Sequence, residues 1–132
     1  IPAFAVSLVT LSEGENYRSA AAVAMKVASQ LLRNGLPPDT FLNVNVPDLP
    51  PEQIGRALVT TQGKRRYDGT IVDMVDPRGR NYYWIGTADL RFHDIEGSDY
   101  HAVSRGHVSI TPLHLDLTNH ASMAAIASWA LD

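Results

Sequence analysis

Cysteine is absent from the 132 residues. That excludes a disulfide framework, a thiolate zinc site and a cysteine nucleophile, and it suits a reducing compartment, so the expected location is cytoplasmic. A surplus of positive charge is also missing. Eleven Lys and Arg stand against 14 Asp and Glu, a net of -3, which leaves no overall field to hold a nucleic-acid duplex or an anionic membrane. No apolar run approaches the roughly 20 residues of a membrane span. The apolar start from Ile1 to Val9 lacks a charged leader and contains Pro2, unlike a secretory signal. None of Ser7, Ser12, Ser98, Ser104 and Ser109 sits in a G-x-S-x-G turn, and neither a P-loop nor a G-x-G-x-x-G occurs, so those nucleophile and phosphate motifs are excluded. What is present, 45% hydrophobic and 19% charged residues, is the make-up of one globular domain portion covering 1–132.

Phe4 to Val9 reads as a continuous apolar strand, the pattern of a strand buried on both faces of a parallel sheet. A chain that opens without methionine inside such a strand is expected to be a fragment. After a polar loop, Thr10 to Glu15, a helix is predicted over Tyr17 to Asn34. Asn16 is its N-cap, Glu13 and Glu15 suit its positive end, and Gly35 is its C-cap. Ala20, Ala24, Val27, Ala28 and Leu31 give it a core-facing stripe. Leu36-Pro37-Pro38 stops it, and Phe41 to Val46 alternates as a second strand, with Leu42, Val44 and Val46 on one face and Asn43 and Asn45 on the other. Residues 1–47 therefore form a βαβ part of the core.

Past Pro47 three β-like runs, Ala57 to Gln62, Thr70 to Val75 and Asn81 to Gly86, predict antiparallel strands across 57–86. Asp76-Pro77-Arg78-Gly79 joins the last two as a hairpin through a type I turn. Thr87 to Gly97 is expected to be loop. In 98–132, Ser98 caps a short helix reaching Arg105 with Gly106 closing it, His107 to Thr111 is a strand ended by Pro112, and Asn119 to Leu131 is an alanine-rich helix capped by Thr118.

Four groups could carry function. The run from His93 to His101 holds two imidazoles and three carboxylates (Asp94, Glu96, Asp99), enough for a metal site, although its spacing fits no ligand signature and a loop entering a capped helix explains it too. Lys64-Arg65-Arg66 and Arg78 with Arg80 supply five of the eleven cations, beside Tyr67, Tyr82, Tyr83 and Trp84. The geometry of a meander separates these turns, so they read as solvated rather than as one phosphate or RNA surface. The hairpin carries Ile71, Val72, Met74 and Val75 facing Tyr82, Tyr83, Trp84 and Ile85, apolar groups on both faces of a ribbon that one protomer cannot cover. Met74, Tyr82, Tyr83 and Trp84 are thus expected oligomer contacts. Asp116 and His120, four apart at the start of the terminal helix, are expected to pair as a tail hinge.

Several stretches together resemble the SurE family of stationary-phase survival proteins. They are Ile1-Pro2-Ala3-Phe4-Ala5-Val6-Ser7-Leu8, Gly35-Leu36-Pro37, Leu42-Asn43-Val44-Asn45-Val46-Pro47, Thr61-Gln62-Gly63 with Arg66-Tyr67, Asp76 to Arg80 with Tyr82-Tyr83-Trp84-Ile85-Gly86, Ser98-Asp99 with Ala102, and Gly106 before Val108 to Leu113. The resemblance runs in order along essentially the whole chain. It implies an α/β fold, the back half of a Rossmann-like subunit with a protruding β-hairpin and a C-terminal helix used in oligomer contacts. It also implies a metal-dependent nucleotidase or acid phosphatase that hydrolyses nucleoside monophosphates to nucleoside and phosphate with Mg²⁺ or Mn²⁺, and a homo-oligomer, dimer or tetramer. The family's metal is held by an Asn-Asp-Asp-Gly motif plus Ser and Asn ligands. This sequence has no Asp-Asp pair, so by resemblance the ligands lie upstream, no catalytic or metal residue can be assigned in this chain, and the segment alone is expected to be inactive. The competing expectation is a non-catalytic oligomerisation or phosphate-binding module.

Overall fold

The computed structural model describes residues 2–10, 15–66, 71–85 and 91–130. The expectations for Ser12, Glu13, Tyr67, Thr70, Gly86, residues 87–90 of the loop and Leu131 lie outside the described residues, as do the side chains of Arg66, Ile85 and Arg91.

The first strand, β1 (Ala3–Val9), alternates between exposed and half-buried residues along its length. It is not buried on both faces as expected. The described main sheet has the order β1, β2 (Phe41–Pro47), β8 (Val108–Leu113), β3 (Ala57–Val59), and on the face away from the first helix the covering helix, α2 (Asp99–Ser104), lies on β8 and β2. Phe4, Val6 and Leu8 face the core while Ala3, Ala5 and Ser7 do not. Strand β2 (Phe41–Pro47) lies parallel to it, with Val6 opposite Val44 and Leu8 opposite Val46. Between them runs α1 (Tyr17–Asn34), whose predicted bounds and stripe hold; Ala20, Val23, Val27 and Leu31 pack on Val44, Val46 and Val108. Gly35 at φ 70 donates its N–H to the Leu31 carbonyl and ends the helix. Asn16 does not cap it through its side chain. That amide instead donates to Asp48 Oδ1 at 2.9 Å, so α1 is tied to the end of β2.

After a 3-10 turn, Pro51–Gln53, strand β3 (Ala57–Val59) leaves the expected meander altogether. It pairs parallel with β8 (Val108–Leu113), which also pairs antiparallel with β2. The β3–β8 pairing joins residues about fifty positions apart, a separation that local strand patterning does not register. Chain order between them is β4 (Arg65–Arg66), β5 (Ile71–Val75), β6 (Asn81–Ile85), β7 (Arg91–Phe92) and α2 (Asp99–Ser104). A hairpin arm is thus inserted into the crossover from β3 to β8. Strand β7 falls in what was expected to be loop, because it pairs antiparallel with β4 in a two-stranded piece separate from the β5–β6 hairpin.

Pro112 lies inside β8, opposite Leu42, rather than ending it. The Ile110 carbonyl accepts from Thr60 N, so residues of that parity, Pro112 included, direct their backbone toward β3. Strand β3 has already ended at Val59, and the missing N–H therefore breaks no ladder bond.

The face of the sheet away from α1 is polar, with Asn43 and Asn45 on β2 and Ser109 and Thr111 on β8. Helix α2 lies against β8 and β2, and beneath it Ser109 and Thr111 are fully buried. Thr60 Oγ1 joins both hydroxyls, at 2.9 Å and 2.7 Å.

The terminal helix is much shorter than expected. A 3-10 turn, His120–Ser122, leads into α3 (Met123–Ala127). Thr118 does not cap it; its N–H goes to Asp116 Oδ1 at 2.8 Å. Met123, Ile126 and Trp129 are exposed, and a helix without a packed face is not held at the length its sequence suggests.

Candidate functional site

Strands β5 and β6 form the expected hairpin, with Val72 opposite Trp84 and Met74 opposite Tyr82. Its tip is set by Asp76, whose Oδ1 accepts from Arg78 N at 2.8 Å and Arg80 N at 2.9 Å, while Gly79 adopts φ 79. The period of two sorts the apolar residues into two faces. Val72, Met74, Tyr82 and Trp84 share one, where Tyr82 Oη donates to Met74 Sδ at 3.3 Å. Ile71, Val75 and Tyr83 occupy the other, so Tyr83 does not join the remaining three expected contact residues. All seven side chains are exposed; Trp84 is 63% and Tyr83 64% accessible. Apolar groups exposed on both sides of a ribbon are the kind of patch that marks a contact surface.

The arm is fastened at its base to α2. On the β4 side, Gly63 N donates to Asp99 Oδ1 at 2.9 Å, and Thr61 bridges to Ser98. A Cβ at Gly63 would stand 2.5 Å from that oxygen, so a larger residue would displace the Asp99 carboxylate from this contact. Ser98 caps α2 as expected, accepting from His101 N at 3.2 Å. On the β7 side, the Phe92 and Tyr100 rings stack with centroids 4.7 Å apart. Asp94 then spans to α2: its Oδ1 meets His101 Nδ1 at 2.8 Å and its Oδ2 meets Arg105 Nη2 at 3.2 Å. Hydrogen bonds from Arg105 first, then from His101, hold the Asp94 carboxyl below its usual range.

The His93 to His101 run is accordingly resolved as anchorage. It brings Asp94 to His101 and places Asp99 at the start of α2. Among the described residues no group of three or more His, Asp or Glu side chains is arranged to hold a metal ion, so the donors a divalent metal requires are not assembled by these residues. Lys64 precedes β4, and Arg78 with Arg80 lie in the turn joining β5 to β6, on separate two-stranded pieces; the meander from which their separation was expected does not form.

At the other end of the sheet, beyond the carboxyl ends of β1 and β2, Asp48 accepts from both the N–H and the side-chain amide of Asn16, at 3.0 Å and 2.9 Å. The Asn16 amide is the first cause that lowers its pKa. In open α/β sheets this is the edge where ligands gather. In the tail, His120 Nε2 lies 2.6 Å from Asp116 Oδ2. That contact, with Thr118 adding a second, lowers the Asp116 pKa to about 2 from 3.8. Sequence patterning missed the Asp94 anchorage and the Thr60 hub; for Asp94 the available signal was His101 on α2 and Arg105 just past its end, four positions apart.

A parallel βαβ unit whose β2 pairs antiparallel with β8, itself joined to its parallel neighbour β3 by a long crossover, defines a mixed α/β, Rossmann-like class of protein. The family model for Survival protein SurE matches residues 1–69. The chain belongs to the SurE family. It is similar to the 5'-nucleotidase SurE of Geotalea daltonii, with 70% identity over 99% of this chain and 53% of that protein. It is also similar to the 5'-nucleotidase SurE of Geobacter sulfurreducens, with 63% identity over 99% of this chain and 50% of that one. Among solved structures, the SurE protein from Aquifex aeolicus superposes with a TM-score of 0.79 and 43% identity, covering 96% of this chain and 50% of the other. The chain spans about half the length of the curated relatives it matches.

Proposed function

We propose that this chain supplies the scaffold and assembly portion of a cytoplasmic, metal-dependent 5'-nucleotidase that hydrolyses nucleoside monophosphates to nucleoside and phosphate. The observation that carries the reading is the 70% identity, over nearly the whole chain, to a relative named for that activity. A divalent metal, Mg²⁺ or Mn²⁺, would polarise the phosphoryl group and its water, with its ligands drawn from outside the described residues. The described residues have other tasks in this reading. β1, β2 and α1, tied by Asp48, form one wall of the crevice at the carboxyl edge of the sheet. The arm, through Val72, Met74, Tyr82 and Trp84 on one face and Tyr83 on the other, packs on further copies in a dimer or tetramer, and the exposed tail after Leu115 does the same. Asp116 and His120 set the angle at which that tail leaves β8.

The test is release of phosphate from nucleoside monophosphates by a polypeptide of these residues alone, with and without Mg²⁺ or Mn²⁺. No metal-stimulated release is expected. Stimulation well above the metal-free control would overturn the division of labour and return attention to the His93 to His101 run.

A further inference from the structure

We infer that one face of the β4–β7 ribbon is a binding surface for a phosphate dianion, free or as the terminal group of a monoester. Arg66 lies directly opposite Arg91, and Arg65 opposite Phe92. The next step of the same register sets Lys64 against His93, whose N–H donates to the Lys64 carbonyl at 3.0 Å. Successive residues of a strand alternate between its faces, so positions 64, 66, 91 and 93 share one face and positions 65 and 92 the other. The first face is basic at each of its four positions. The second is where the ribbon meets the body of the protein: Phe92 stacks on Tyr100, and Asp94, of the same parity, reaches His101 and Arg105. Lys64 and His93 are exposed. The basic partners of Lys64 and Arg66 are thus Arg91 and His93, and not Arg78 and Arg80 of the hairpin turn.

A pattern of this kind costs stability unless something offsets it. Like charges directly opposite on paired strands are destabilising, by up to about 1 kcal/mol, and Arg66 with Arg91 is such a pair. Positions 64–66 and 91–93 carry no carboxylate. Asp94 and Asp99, which follow β7, are already committed, the first to Arg105 and His101 and the second to the N–H groups of Gly63 and Tyr100. Charged residues also blunt exposed strand edges, but that task is met without setting arginine against arginine. Hydrogen-bonded antiparallel pairs stand about 5.5 Å apart between Cα atoms, and positions two apart on one strand about 7 Å, so the four residues frame a patch suited to one small anion. Arginine grips phosphate bidentately, with a planar fork that lysine lacks. A tetrahedral dianion shared by two such forks offsets both charges, whereas a carboxylate, with one charge and two oxygens, matches one fork alone. No aromatic residue stands at the four positions, which removes the base stacking that single-stranded nucleic acid uses. The surface stands whether or not the chain is the scaffold of a nucleotidase.

The test is a titration of the full chain, labelled with ¹⁵N, in metal-free buffer at constant ionic strength, with inorganic phosphate in one arm, methyl phosphate in a second and chloride in a third. Saturable shifts of the backbone amides of residues 64–66 and 91–93 are expected with phosphate and not with chloride. A matching response to methyl phosphate extends the site to monoesters, and its absence restricts the site to the free ion. Because a hydrogen bond to a charged group contributes about 1.5–3 kcal/mol, the dissociation constant should rise about tenfold or more in Arg66→Gln and in Arg91→Gln, with circular dichroism unchanged. No saturable shift, equal shifts with chloride, a tighter response to a glutamate peptide than to phosphate, or a constant unchanged in both variants overturns the surface. If either arginine variant does not fold, Lys64→Gln decides by the same criterion.

Discussion

Replacing Thr60 by valine removes one hydroxyl and orphans two. Thr60 Oγ1 is hydrogen-bonded to Ser109 Oγ at 2.9 Å and to Thr111 Oγ1 at 2.7 Å, and all three residues are at most 6% exposed. Each buried hydroxyl left without a partner costs about 1–3 kcal/mol. Some of this is recovered, since valine no longer buries a hydroxyl of its own, and a net loss of about 2–4 kcal/mol is expected for Thr60→Val. Thr60→Ser keeps the hub and gives up only one methyl group, about 0.8 kcal/mol. Urea denaturation of both variants distinguishes the two contributions, provided the slope with denaturant is unchanged. The comparison matters beyond stability because the β3–β8 pairing carries the arm. If Thr60→Val lies within about 0.5 kcal/mol of the parent, as an ordinary surface change would, or equals Thr60→Ser, the hydroxyl hub does not hold these strands together.

Trp84→Ala should shift the oligomer toward smaller species in light scattering; an unchanged distribution removes Trp84 from the assembly surface. Asp116→Ala and His120→Ala, combined in a double-mutant cycle on oligomer distribution, should show coupling, and strictly additive effects would leave the 2.6 Å contact without a role. Because the Asp116 pKa is depressed from 3.8 to about 2, the stabilisation of the tail is present above pH about 4 and is lost as the pH falls through the folded-state value. A carbon-detected titration of the Asp116 carboxyl that gave an ordinary value would contradict the pairing.

Helix α1 was legible because every local signal agreed: an apolar stripe at helical spacing, a glycine after the last turn and two prolines beyond it. The hairpin was legible because Asp76, Pro77 and Gly79 each suit one position of a single turn type. Asp116 and His120 lie one turn apart, the spacing at which two side chains meet. The partner of β3 was not legible, since its pairing with β8 is decided by a long-range crossover and not by anything near Ala57 to Val59. Which face of β1 is covered was hidden for a similar reason: Phe4 to Val9 reads as uniformly apolar, and only the placement of α1 and α2 on the sheet says which face meets a neighbour. Thr118 illustrates a competition that patterning does not resolve, because the same N–H can serve a helix or the carboxylate two residues earlier, and Asp116 takes it. For Asp94 the sequence offered acidic and imidazole groups in one run, which suggests a metal as readily as an anchor. Distances alone separate the two, by setting a guanidinium on the carboxylate.

The central claim is that this chain can serve as the scaffold half of a nucleotidase. The direct measurement is made on a chimera in which the 131 residues of the Geotalea daltonii 5'-nucleotidase SurE that match this chain are replaced by it, with release of phosphate from a nucleoside monophosphate followed with and without Mg²⁺ or Mn²⁺. Metal-stimulated release by the folded chimera, with none from these 132 residues alone, is the predicted result. A chimera that folds and assembles yet releases no phosphate, or release by the 132 residues on their own, would contradict it.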